Sequence, residues 1–120
     1  MDKSTAMNLL KNTFVKYTLP VDGTTVDLTL AFALLKALEG KNPELANRYY
    51  KATSKKESEA RESDIITMLY TAYSCANLDN PEAMSEEVFT ILLGSDRVSL
   101  RRVFNQLIGA KKNPGSANRS

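Results

Sequence analysis

From Phe14 onward the apolar residues fall on every second position, with Val15, Tyr17, Leu19 and Val21 alternating with Lys16, Thr18 and Pro20. After Asp22-Gly23 the alternation resumes as Val26, Leu28 and Leu30 against Thr25, Asp27 and Thr29. A period of two belongs to a strand with one covered face. Asp-Gly suits a tight hairpin turn in which both central residues take positive φ. The spacing predicts a β-hairpin over 14–30, pairing 14–21 with 24–30. Pro20 has no amide proton, so the first strand is an edge or ends there. Such a hairpin is marginal alone and must lie against other elements.

The period then lengthens to that of helices. One is predicted over 29–39, where Phe32, Leu34, Leu35 and Leu38 sit among alanines, a pattern of burial on more than one side. Gly40 is its expected left-handed stop. A second, over 43–52, has Asn42 as cap, Pro43 at the first position and Glu44 in the first turn. The polar run 53–63 reads either as a linker or as the solvated start of a helix over 55–77. The helix is preferred, because Ser54 and Glu57 fit a capping box and Glu57 meets Arg61 one turn on. Its apolar face is Ile65, Ile66, Leu69, Tyr73 and Ala76. Asn80-Pro81 breaks it, and Ser85 opens a helix over 86–93 with Met84 and Phe89 as a hydrophobic staple. After Gly94, Ser95 is expected to cap a last helix over 96–108 bearing Leu100, Val103, Phe104, Leu107 and Ile108, with Gly109 as its end. Residues 1–13 form a lead-in in which Met7, Leu9 and Leu10 make one helical turn or none. Residues 110–120 lack large apolar side chains and read as a disordered basic tail. The expected fold is mainly α with a short N-terminal β-hairpin (α+β), a bundle of four to five helices over 14–109.

Composition narrows the chemistry more than the fold. At 120 residues, 42% hydrophobic and 25% charged, the chain suits one folded domain. It contains no histidine, one cysteine (Cys75) and five glycines that never approach within two positions of one another. Proton shuttling near neutral pH, a cysteine–histidine metal cluster and a phosphate-cradling glycine loop therefore lack their usual parts. Cys75, on an apolar helical face, reads as a small buried hydrophobe. The acidic set Asp79, Glu82, Glu86 and Glu87 reads as a solvated loop and helix start. No enzyme, cofactor or metal is expected. A single cysteine makes no internal disulfide, which favours a reducing cytoplasm. The longest apolar run, 30–35, is too short to span a bilayer.

Net charge is only +2, but it is unevenly placed: 79–96 holds five acids and no base, and 97–120 holds six bases and no acid. The segments 86–93, Gly94-Ser95 and 96–108 therefore resemble a helix-turn-helix, with Arg97, Arg101, Arg102, Asn105 and Gln106 facing outward. An ordinary helix pair has the same layout and is the preferred reading, because Glu86 and Glu87 would face phosphate. Tyr70 and Tyr73 are expected to pack with hydroxyls at the rim. Tyr49 and Tyr50 cannot both face inward, so one of them is a candidate partner anchor.

Taken in order, Lys16-Tyr17-Thr18-Leu19-Pro20-Val21-Asp22-Gly23, Val26-Asp27-Leu28-Thr29-Leu30, Leu34-Leu35-Lys36-Ala37-Leu38-Glu39, Ile65-Ile66-Thr67-Met68-Leu69-Tyr70-Thr71-Ala72-Tyr73 and Pro81-Glu82-Ala83-Met84-Ser85-Glu86-Glu87 form a pattern. It resembles the tail assembly chaperones of long-tailed bacteriophages and prophages of Gram-positive bacteria, over 14–112. The likeness departs in the N-terminal residues and in 53–63. It implies a non-enzymatic homo-oligomer that binds the tape measure protein and keeps it soluble while tail tube protein subunits assemble. It would act in the host cytoplasm and be absent from the finished virion. The surfaces available for such contacts are Val15, Tyr17 and Leu19 on the hairpin, Tyr49 and Tyr50, and Arg101, Arg102, Lys111 and Lys112 at the basic end.

Overall fold

In the computed structural model, which describes residues 1–112, the alternation becomes an antiparallel pair. Strand β1 (Val15–Thr18) pairs with β2 (Thr25–Leu28), Tyr17 opposite Val26 and Val15 opposite Leu28. Tyr17, Val26 and Leu28 are buried on one face. On the other, Lys16 and Asp27 form an ion pair at 2.5 Å and the Thr18 and Thr25 hydroxyls meet at 3.1 Å. Both strands are shorter than predicted. The Leu19 amide donates to the Thr24 carbonyl at 2.7 Å and the Gly23 amide to the Leu19 carbonyl at 2.9 Å. Residues 20–23 thus form the loop, and only Gly23 takes positive φ (79°). Asp22 does not share the left-handed turn. Its carboxylate instead accepts from the Thr24 amide at 3.0 Å and hydroxyl at 2.6 Å. The loop docks through the Val21 amide, which donates to the Leu92 carbonyl at 3.2 Å.

The lead-in is more ordered than its sequence suggests. Helix α1 (Lys3–Lys11) is capped by the Asp2 carboxylate, which accepts from the Thr5 amide at 2.7 Å, yet none of its residues is buried. Beyond β2, the Thr29 amide donates to the Ala72 carbonyl at 3.1 Å, joining the hairpin exit to the central helix. Helix α2 (Phe32–Lys41) follows, then α3 (Pro43–Thr53). Asn42 serves both: its amide donates to the Leu38 carbonyl at 2.7 Å and its side chain accepts from Leu45 at 3.1 Å. The expected stop at Gly40 is therefore corrected. Gly40 lies inside α2, and the break falls before Pro43, whose ring disfavours helix at the preceding residue. The burial of α2 is also one-sided: Leu35 and Leu38 are inside, whereas Phe32 is 82% exposed.

The predicted helix over 55–77 starts later. After a single 3₁₀ turn at Glu57–Glu59, α4 spans Glu62–Ala76. Its start is marked by Asp64, whose carboxylate accepts from the Arg61 amide and the Lys55 ammonium, each at 3.0 Å. The polar run has no apolar stripe to bury, so packing does not hold it helical. From Ile65 onward α4 is the centre of the molecule, burying Ile65, Met68, Leu69, Thr71, Ala72, Tyr73 and Cys75. The hairpin, α2 and α3 pack against it, as do the last two helices.

Helix α5 (Glu86–Leu93) is capped by the Ser85 hydroxyl, which accepts from Val88 at 3.2 Å, and ends at Gly94 with φ 66°. Helix α6 (Arg97–Lys112) is capped by Asp96 rather than Ser95, the Asp96 carboxylate accepting from the Ser99 amide at 3.0 Å. It runs through Gly109, so the helical boundary predicted at 108 and the tail predicted from 110 are corrected to helix through Lys112. Residues 113–120 of that tail lie outside the described residues. The observed domain is mainly helical, with six α-helices and one hairpin among the described residues.

Candidate interaction surface

The hairpin face expected to be open is closed. Tyr17 and Leu19 are buried and Val15 is half-buried, because β2 lies on α4 and β1 on α6. The Ser99 hydroxyl donates to the Tyr17 oxygen at 3.3 Å, tying β1 to the first turn of α6. Tyr17 and Leu19 are thus core residues rather than contact residues, a correction to the surface inferred from the edge strand. The tyrosine pair divides as its spacing requires. Tyr49 is buried, which removes it from the contact set, and Tyr50 is 44% exposed with its hydroxyl donated to the Glu39 carboxylate. That bond first, and then burial, pushes the Tyr50 phenol up to about 12.

Arg101 and Arg102 are exposed on the outer side of α6 with Asn105 and Gln106. Arg97 is engaged with Glu62 at 2.6 Å. The backbones of Lys111 and Lys112 belong to α6, while their side chains lie outside the described residues. Structure therefore keeps Tyr50, Arg101 and Arg102 on the outside.

A different apolar surface, not among those expected, lies on α5. Helix α5 turns Phe89 and Leu93 inward, which leaves Val88 and Ile91, three residues apart, on its outer side; Ile91 is 60% exposed. Val21 sits at the end of this helix, its side chain 3.0 Å from where a Cβ on Gly94 would stand. Val98 is 70% exposed in the first turn of α6. The signal was present in the sequence: α5 reads Glu-Glu-Val-Phe-Thr-Ile-Leu-Leu, too apolar for a helix with one covered face.

The acids around this face are partly engaged. Arg48 donates to both carboxylate oxygens of Glu86, at 2.8 and 2.5 Å, and to the Thr67 hydroxyl at 3.4 Å, linking α3, α4 and α5. Lys41 donates to Asp79 and to the Leu78 carbonyl, each at 2.7 Å. Glu82, Glu87 and Asp96 are exposed. Inside, the Tyr70 hydroxyl donates to the Met84 carbonyl at 3.0 Å and the Met84 amide donates to the Tyr73 oxygen at 2.8 Å. This pair of bonds seats the loop before α5 on α4. Among the described residues no buried side-chain polar atom lacks a hydrogen-bond partner.

Two limbs of pH dependence follow. The Arg48 hydrogen bonds hold the Glu86 carboxyl below its ordinary 4.5. That stabilisation is complete above the ordinary value and is lost as pH falls through the folded one. Burial pushes the Cys75 thiol from 9.0, and the Tyr49 phenol from 10.0, up to about 12. Their contribution is complete below the ordinary values and is lost as pH rises toward about 12. The urea midpoint should therefore drop in acid and again above pH 9. Glu86→Gln should make the acid limb shallower and leave the alkaline limb in place, a comparison that urea titrations across pH measure directly.

Among the described residues no group of cysteine, aspartate and glutamate could hold a metal ion, and no helix is long and apolar enough to cross a membrane. Set beside family models, curated proteins and solved structures, the chain finds no match in any of the three.

Proposed function

We propose that this chain is a non-enzymatic tail assembly chaperone that binds the tape measure protein and keeps it soluble while tail tube subunits assemble. It uses no cofactor, self-associates, works in the host bacterial cytoplasm and is left out of the finished virion. The observation that supports the reading, beside the sequence resemblance, is a satisfied core surrounded by large exposed apolar side chains: Phe32, Tyr50, Val88, Ile91 and Val98. A domain that folds with these residues outside has apolar contact surface to offer a client. A long helical client with apolar stripes is met by helix faces of this kind. Co-expression with the tape measure protein of the same phage or prophage should move that protein from the pellet to the soluble fraction, bound to this chain. A Phe32→Ser, Ile91→Ser, Val98→Ser variant should fold and lose most of the effect. A client that is equally insoluble with and without the chain overturns the reading.

The outer face of α6 supports a second reading, a small DNA-binding regulator using 96–108, because Arg101, Arg102, Asn105 and Gln106 are all exposed there. It requires salt-sensitive duplex binding that loses about one ion from its salt dependence for each phosphate contact removed by Arg101→Ala or Arg102→Ala. Exposed Glu87 at the head of α5 opposes that approach.

A further inference from the structure

Two helix faces of this chain keep apolar side chains open to solvent, and their charges are opposite. The apolar arc of α1 runs through Leu9, Ala6, Leu10 and Met7, with Lys3 inside it and Lys11 at its edge. No residue of that helix is fully buried, Leu9 being 53% exposed and Met7 and Leu10 half-buried, and its nine residues include no acid. The outer face of α5 presents Val88 and Ile91 beside exposed Glu87, within a segment (79–96) that carries five acids and no base. We infer that α1 of one copy seats on the outer face of α5 of the next, exposed Leu9 with the accessible edges of Met7 and Leu10 against Val88 and Ile91, and Lys3 and Lys11 toward Glu87. Hydrophobic burial supplies the attraction and the charges set the partner and its direction.

Charge selects this occupant over a symmetric one. An α5 face on a second α5 face would bring Glu87 against Glu87, and α1 on α1 would bring lysines together. The contact is therefore heterologous, one surface on a different one, and propagates as a ring or an open chain. A nine-residue helix also buries less than the roughly 800 Å² per partner of a standard interface. A single contact is then weak, and assembly depends on concentration. The inference rests on the self-association within the proposed function.

Light scattering of the full-length protein over a range of concentrations tests it. The wild-type mass should rise with concentration, and Ile91→Asp should hold it at the monomer with an unchanged helical signal. Glu87→Lys should lower the assembled fraction several-fold, and adding Lys3→Glu with Lys11→Glu should restore it. A wild-type protein that stays monomeric, an assembled mass that Ile91→Asp does not reduce, or a Glu87→Lys loss that the reversed lysines do not recover would each overturn the inference. A Glu87→Lys protein whose assembled fraction falls while it still keeps the client soluble supports the inference and leaves the proposed function standing. If both client solubility and assembly persist in that variant, only the inference fails.

Discussion

Tyr17→Asp should cost the domain about 3–5 kcal/mol, the scale of a buried charge without a partner, and unfold much of it at room temperature. The aromatic ring is buried between β1 and its neighbours, and its oxygen receives the Ser99 hydroxyl at 3.3 Å. A carboxylate there loses its water. Tyr17→Phe keeps the ring and loses only the contact to Ser99, so it should cost about 1 kcal/mol. Urea unfolding of the two variants separates core from surface. Had Tyr17 been the assembly contact expected of an edge strand, the aspartate would leave the helical signal intact and lower only the assembled mass. That outcome would refute the burial described here.

Phe89→Ala should be comparably damaging, at about 3–5 kcal/mol. The Phe89 ring is fully buried, its centroid 5.5 Å from that of Tyr70 and 5.2 Å from that of Tyr73. Truncation removes both aromatic contacts and leaves a cavity under α5. The same two tyrosines hold the Met84 peptide, so the loop that delivers the chain into α5 should loosen as well. Ile91→Ala, two positions along on the outer side of the same helix, should change stability by less than about 0.5 kcal/mol. Denaturant midpoints for the pair test which side of α5 faces the core. Equal losses would contradict the inward placement of Phe89.

Local signals hold where one residue's chemistry decides the outcome. Asn42-Pro43 and Ser85 start helices because a side-chain acceptor satisfies an orphan amide, whatever lies elsewhere in the chain. Period two over 15–19 and 26–30, and the helical stripe Leu100, Val103, Phe104 and Leu107, reported which side faces inward. Glycines misled as stops. Gly40 and Gly109 sit inside helices, whereas the chain leaves α5 at Gly94 by taking positive φ there.

The candidate surface was less legible. Periodicity marks an apolar face without saying what covers it. The residues alone specify a helical domain with an N-terminal hairpin, most of its core stripes, the sign of charge along its last third and a composition without histidine. Tertiary structure alone decided that the hairpin face is filled by α4 and α6, that Tyr49 goes in while Tyr50 stays out, and that α5 exposes Ile91. The reason is competition for one central helix. α4 has a limited circumference, the hairpin, α2, α3, α5 and α6 all pack around it, and a helix that docks by one side leaves its other apolar side in water.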